Sequence, residues 1–208
     1  MDAKTLLVAV VMLFAVQASA GNRPEQGDTW VYEVTFRALD DPTAKITNDI
    51  LTIKAGYLNK LGKLVFTGGS GFGMYSDTCL FDIAAGEELA GEVPCDAPLP
   101  IGKTWRAALR DPTKAGEQSL AVIGKEDVLI ESRLYPATVI RTERALTPWD
   151  LMGRGSHVTH RRATYWYVPE IRGMAKIEHE LIDDNGKEVS RETYALLKFR
   201  RASALADN

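Results

Sequence analysis

The chain has 208 residues, 45% hydrophobic and 25% charged, with a formal net charge of −3. That composition excludes a disordered tail and a multi-span membrane protein, and so small an acidic excess gives no general electrostatic reason to bind nucleic acid. The length fits one large domain, with enough core to fold without a metal or a set of disulfides.

Met1 to Thr5 is a short, weakly cationic start, and Leu6 to Val16 is an unbroken apolar run. Gln17-Ala-Ser-Ala20 then supplies the small residues that precede a signal-peptidase cut. As a helix rising roughly 1.5 Å per residue, the apolar run spans about 16 Å, against a bilayer core of about 30 Å. It is too short for a permanent transmembrane anchor. The expectation is a signal peptide over 1–20, cleaved after Ala20, and a periplasmic or secreted domain over 21–208. No cysteine follows Ala20, so lipid attachment there is not indicated.

Period-two alternation dominates the rest. Trp30, Tyr32, Val34 and Phe36 fall on one face of a half-buried strand, and Val31, Glu33, Thr35 and Arg37 on the other. Further strands are expected at 45–54, 63–67, 74–83, 104–109, 119–131, 133–144, 158–168, 174–182 and 188–199. Short helical turns are expected at 84–89 and 147–153. The glycine-rich run at 68–73 reads as a flexible turn. Asn185-Gly186, between two alternating segments, predicts a hairpin, because a type I′ turn wants positive φ at both central residues. Gly27-Asp-Thr-Trp30 and Gly102-Lys-Thr-Trp105 share one pattern. Its plain physical reading is a glycine that turns the chain, a threonine that starts a strand and a tryptophan that fills the core. About ten strands and few helices imply an all-β fold, a strongly curved antiparallel sheet open as a half-barrel. A closed lipocalin-like barrel is the alternative, and its Gly-x-Trp signature is missed by one residue.

In an exported protein Cys79 and Cys95 are expected to pair. Closing that loop stabilises by roughly 3 kcal/mol in the chain-entropy view. The chain has three histidines. His157 and His160, three apart, would point to opposite faces of a strand, which opposes shared metal ligation. His179 alternates with Ile177 and Leu181 and reads as a satisfied structural histidine. Ser70 lacks the glycine two residues later that a nucleophile elbow needs. No carboxylate pair stands out as an acid/base dyad. The reading therefore nominates no catalytic residue, no metal and no cofactor.

Charge is unevenly placed. Residues 64–102 contain no Lys or Arg, whereas 133–172 hold seven arginines against Glu143, Asp150 and Glu170. The arginines are expected either to form a solvated face, to pair internally with the acidic segment, or to meet anionic lipid headgroups or an acidic partner.

The run Tyr165-Trp-Tyr-Val-Pro-Glu-Ile-Arg-Gly-Met-Ala-Lys176, with the charged hairpin after it, resembles uncharacterised exported bacterial proteins. These are similar to the lipoprotein-carrier superfamily, which folds as an open antiparallel half-barrel closed by short helices. The resemblance implies a periplasmic setting and a concave apolar surface able to hold an acyl chain, a lipoprotein or another envelope protein. On this reading the chain is a non-enzymatic binding or carrier protein for a lipid-like ligand, lined by Trp30, Tyr32, Phe36 and Trp166. The alternatives are an envelope scaffold that binds a protein through its arginines, and a hydrolase whose site is unrecognised.

Overall fold

A computed structural model describes residues 22–41, 43–68, 74–76, 78–91, 93–94, 97–108, 117–146 and 158–202. The expected leader, His157, Ser70, Cys95 and the 147–153 turn lie outside them. The strands are β1 (Thr29–Ala38), β2 (Thr47–Leu58), β3 (Leu64–Gly68), β4 (Met74–Ser76), β5 (Phe81–Asp82) and β6 (Glu87–Glu88), then β7 (Thr104–Ala108), β8 (Glu117–Ile130), β9 (Arg133–Ala145), β10 (Val158–Val168), β11 (Gly173–Asp183) and β12 (Glu188–Arg200). A single 3-10 turn, Pro169–Ile171, joins β10 to β11. No helix among the described residues is long and apolar enough to cross a membrane.

Ten strands form one antiparallel sheet in the order β4-β3-β2-β1-β12-β11-β10-β9-β8-β7. The outer strands β4 and β7 do not pair with each other, so the sheet stays open, as the half-barrel reading expects and the closed-barrel rival does not. Six ladder irregularities, among them those at Ala55/Tyr57, Val122/Gly124 and Trp166/Tyr167, bend and coil it.

The topology dictates what happens inside the curve. The first meander runs outward from β1 and ends at one edge, β4. The second begins at the opposite edge, β7, and returns until β12 pairs with β1. The chain between them must therefore cross the sheet, and it crosses the concave side. This strap carries the β5–β6 hairpin, with Phe81 stacked on Phe66 of β3 at 5.3 Å. Near its far end Leu89 accepts a hydrogen bond from Trp105 of β7 at 2.7 Å. Leu80, Phe81, Leu89 and Ala90 of the strap join Trp30, Tyr32, Ile53, Leu120, Ile140, Tyr165, Met174 and Ile177 in one buried core.

Three local expectations are corrected. Residues 74–83 are not one strand: the chain bends at Thr78–Leu80, and β5 leaves the main sheet for the strap. Residues 84–89 form a turn and the short β6 instead of a helical turn, because the backbone pairs back on β5, with Gly86 and Leu89 donating to the Asp82 and Leu80 carbonyls, both at 2.7 Å. The Asp183–Lys187 hairpin forms, yet only Gly186 takes positive φ, at 77°. Asp183 Oδ1 accepts the N–H groups of Asn185 and Lys187 at 2.9 and 2.8 Å, which ties the turn without a type I′ geometry.

The two Gly-x-Thr-Trp corners are built alike. Gly27 and Gly102 both have positive φ, at 98° and 87°. Each donates its N–H to the next strand, to Ala55 and Val122 respectively, and receives the return bond one residue later. The tryptophans then plunge inward, Trp30 donating to the Ile171 carbonyl at 2.9 Å and Trp105 to Leu89. Backbone geometry and core filling account for the shared pattern.

Candidate functional site

Strand alternation places Arg161, Ala163 and Tyr165 of β10 on the concave face. Ladder partners Leu181, His179 and Ile177 of β11 lie beside them, and Arg144 and Thr142 of β9 on the other side. Arg161 and Arg144 are direct cross-strand partners. Like charges so placed repel. The strap resolves the conflict by lowering Asp82 and Glu87 onto them.

Asp82 is fully buried. Its Oδ1 accepts the backbone N–H groups of Ala84 and Ala85 at 2.9 and 3.0 Å. Its Oδ2 accepts Arg161 Nη2 at 3.2 Å, Tyr165 Oη at 3.0 Å and His179 Nε2 at 2.9 Å. Glu87 Oε1 accepts Arg144 Nη2 at 3.2 Å, and Glu87 Oε2 lies 3.8 Å from Arg161 Nη1. Arg161 Nη2 is also 2.8 Å from His179 Nε2. A nitrogen that donates to Asp82 cannot accept from a guanidinium, so the shared carboxylate oxygen holds both cations together.

Burial by itself would raise the Asp82 carboxyl, but the charges of His179 and Arg161 outweigh it and hold it well below the ordinary range. Burial opposes the imidazolium of His179, and the Asp82 charge more than compensates, raising its pKa. Tyr165 is pushed up by burial and by Asp82. A carboxylate held this firmly ionised is a weak general base. The arrangement suits a latch between strap and sheet.

Beside this cluster Phe81 and Ile83, which flank Asp82, rest on apolar side chains. A narrow cleft lies there, lined by Trp30, Tyr32, Phe66, Phe81, Ile83 and Met174, with Arg172 at its side. It holds about 20 Å³, room for about one water. Tyr32 Oη is tied to the Met174 carbonyl at 2.8 Å, and burial keeps its pKa raised. A second cleft of about 160 Å³ shares Pro24 with the first and is lined by Arg23, Leu58, Gly62, Leu64, Ser76 and Thr78. The apolar space thus adjoins a roomier, more polar one.

Of the residues nominated for ligand binding, Trp30 and Tyr32 meet in the apolar cleft. Phe36 sits further along β1, 40% exposed, opposite Thr47 and Glu192 and away from the cleft. Trp166 is buried but alternates away from Tyr165. Its Nε1 donates to Glu126 at 2.7 Å, and Lys176 lies 4.5 Å over its ring. Cys79 is buried beside the apolar cleft, and among the described residues no cysteine is free. His160 lies exposed on β10, bonded to Thr159. Among the described residues no group of three or more His, Cys, Asp or Glu is placed to hold a metal.

Arg154 lies outside the described residues, and the other six arginines do not share one outward face. Arg144 and Arg161 bind the strap, and Arg172 reaches buried Asp28 at 3.0 Å and Glu25 at 2.9 Å. Internal pairing with the acidic segment, one of the sequence expectations, holds for Asp82 and Glu87. The latch itself was missed as a site. Its signal was Asp82 between Phe81 and Ile83, a lone acid in an apolar run, together with His179 at an apolar register.

No protein-family model matches the chain, and no curated protein does. Among solved structures it is similar to a candidate lipoprotein from Parabacteroides distasonis, at TM-score 0.43 and 13% identity over 88% of this chain and 100% of that one. It is also similar to a candidate exported protein with a YmcC-like fold from Bacteroides fragilis, at 0.43 and 15% over 87% and 99%. A third is the hypothetical lipoprotein YmcC from Escherichia coli, at 0.38 and 12% over 83% and 84%.

Proposed function

We propose that the protein is an exported, non-enzymatic binding protein that receives an apolar, lipid-like ligand between the strap and the concave face, at Trp30 and Tyr32. The observation that carries this reading is the double footing of the strap. Asp82 and Glu87 fasten it by buried ion pairs, while Phe81 and Ile83, on either side of Asp82, lie on an apolar cleft that adjoins a more polar one. Sites for amphipathic molecules share that plan, an apolar wall for the chain and a few polar groups for the head. The cleft as it stands has no room for an acyl chain, so binding requires Phe81 and Ile83 to lift, and the ion pairs of Asp82 between them resist that movement. The expected Cys79–Cys95 bond is a second tether that would limit the excursion. The firmly ionised state of Asp82 supports a fastening role over acid/base chemistry.

Native mass spectrometry of protein purified from its host tests the reading. The expected result is a population carrying the mass of a lipid, released by an organic solvent, and reduced by Trp30→Ala at unchanged fold. Bare protein alone, with no quenching of tryptophan fluorescence by added palmitate, would overturn it.

A further inference from the structure

The β2–β3 hairpin presents an apolar tip that the core does not use. Leu61 is 78% exposed, the highest value for a large apolar side chain among the described residues, and Leu58 and Tyr57 stand at 61% and 58%. Single exposed leucines are ordinary on a soluble surface, but three within one short turn are not. The exposure is also built in. Asn59 Oδ1 accepts the N–H groups of Leu61 and Lys63 at 2.9 and 3.0 Å. The Asn59 N–H reaches the Lys63 carbonyl, and the Gly62 N–H reaches the Asn59 carbonyl, both at 2.9 Å. The turn is thereby held in a shape that aims Leu61 outward.

Along the chain, charge around the tip has one sign. Residues 50–76 carry Lys54, Lys60 and Lys63 and no Asp or Glu. Lys63 turns inward to Glu88, which leaves Lys54 and Lys60 as the exposed cations. Arg23 lines the same cleft as Leu58 and Gly62. The other exposed leucine pair, Leu129 and Leu134 on the β8–β9 hairpin, is set differently. Glu126, Asp127 and Glu131 accompany it, with Lys125 and Arg133, so its charge is mixed.

We propose that the β2–β3 tip docks the protein on an anionic lipid bilayer, with Tyr57, Leu58 and Leu61 entering the headgroup boundary and Lys54 and Lys60 meeting lipid phosphates. Apolar side chains ringed by lysine fit that boundary, where the hydrophobic and electrostatic contributions add. A protein groove would need a complementary shape, and three side chains on a tight turn offer little area for one. The tip borders the polar cleft, which adjoins the apolar one, so docking would point both toward the membrane. The docking proposal does not depend on the cleft holding a ligand.

Co-sedimentation with vesicles of equal parts phosphatidylglycerol and phosphatidylethanolamine tests it, against vesicles of phosphatidylcholine alone. The full mature chain is expected to bind the anionic vesicles and to leave the neutral ones. Leu58→Asp with Leu61→Asp should lower the affinity at least about tenfold, and Lys60→Glu by roughly fivefold or more. Leu129→Asp with Leu134→Asp should leave binding unchanged. In Leu61→Trp, the new fluorescence should shift to the blue on adding anionic vesicles. Circular dichroism identical to wild type keeps loss of binding distinct from loss of fold. Equal binding to neutral vesicles, or undiminished binding by the double aspartate variant, overturns the proposal. So does a protein partner that this variant loses while vesicles bind neither form.

Discussion

At the scale of single residues, Asp82 gathers a guanidinium, an imidazole and a phenol on one oxygen and two backbone amides on the other. Removing one partner of such a buried cluster leaves the rest uncompensated, a loss of about 3–5 kcal/mol. Asp82→Asn should therefore lower the midpoint of urea unfolding while the slope stays the same. The pH dependence carries opposite signs for the two titrating partners. The folded pKa of His179 is raised, so its contribution is complete below about pH 6.5 and fades as pH rises through the folded value. The folded pKa of Asp82 is lowered, so its contribution is complete above about pH 3.9 and fades as pH falls through that low value. Together they predict greatest support between about pH 4 and 6.5, with thermal stability declining on the alkaline side. His179→Gln should flatten that alkaline decline. An equally steep decline in the variant would mean that another group sets it.

At the scale of elements, strands were legible because alternation is a local signal. Nine of the expected strand segments coincide with strands of the structure to within a few residues. What failed was chemistry that only tertiary structure settles. Nothing in Phe81-Asp82 announces departure from the sheet, since a strand pattern fits either course. The hairpin turns make the same point. Asn185-Gly186 carries the strongest sequence signal, yet the geometry with positive φ at consecutive central residues occurs at Glu131-Ser132, with φ of 47° and 72°. Neither residue is built for that conformation, which costs roughly 1–2 kcal/mol per residue. The β8–β9 register, with Ile130 opposite Arg133, forces it. Replacing Glu131-Ser132 with Asn-Gly should thus stabilise the protein by about 1 kcal/mol or more, read as a higher unfolding midpoint. No gain would mean that the Glu131–Lys198 contact at 3.9 Å contributes more than an exposed pair usually does.

At the scale of the whole molecule, one meander runs from the middle of the sheet to one edge and the other from the opposite edge back to the middle, so the linking chain lies in the concavity. Of the four nominated residues, Trp30 and Tyr32 face the strap because β1 is a central strand. Phe36 runs beyond the strap's reach, and Trp166 stands on the face opposite Tyr165, because alternation separates the two faces of β10 without saying which is concave. On the proposed reading, a strap both latched and lying on an apolar cleft would couple stability to binding. If a ligand enters only when the strap lifts, the apparent affinity is the intrinsic one reduced by the fraction lifted. Loosening the latch then raises that fraction. Asp82→Asn should accordingly bind palmitate more tightly than wild type, or faster, while unfolding at a lower denaturant concentration. The two changes in opposite directions identify a gate. A concavity that is only core predicts instead that stability falls and no palmitate binds either protein, and fluorescence titration beside urea unfolding on the same pair separates the two.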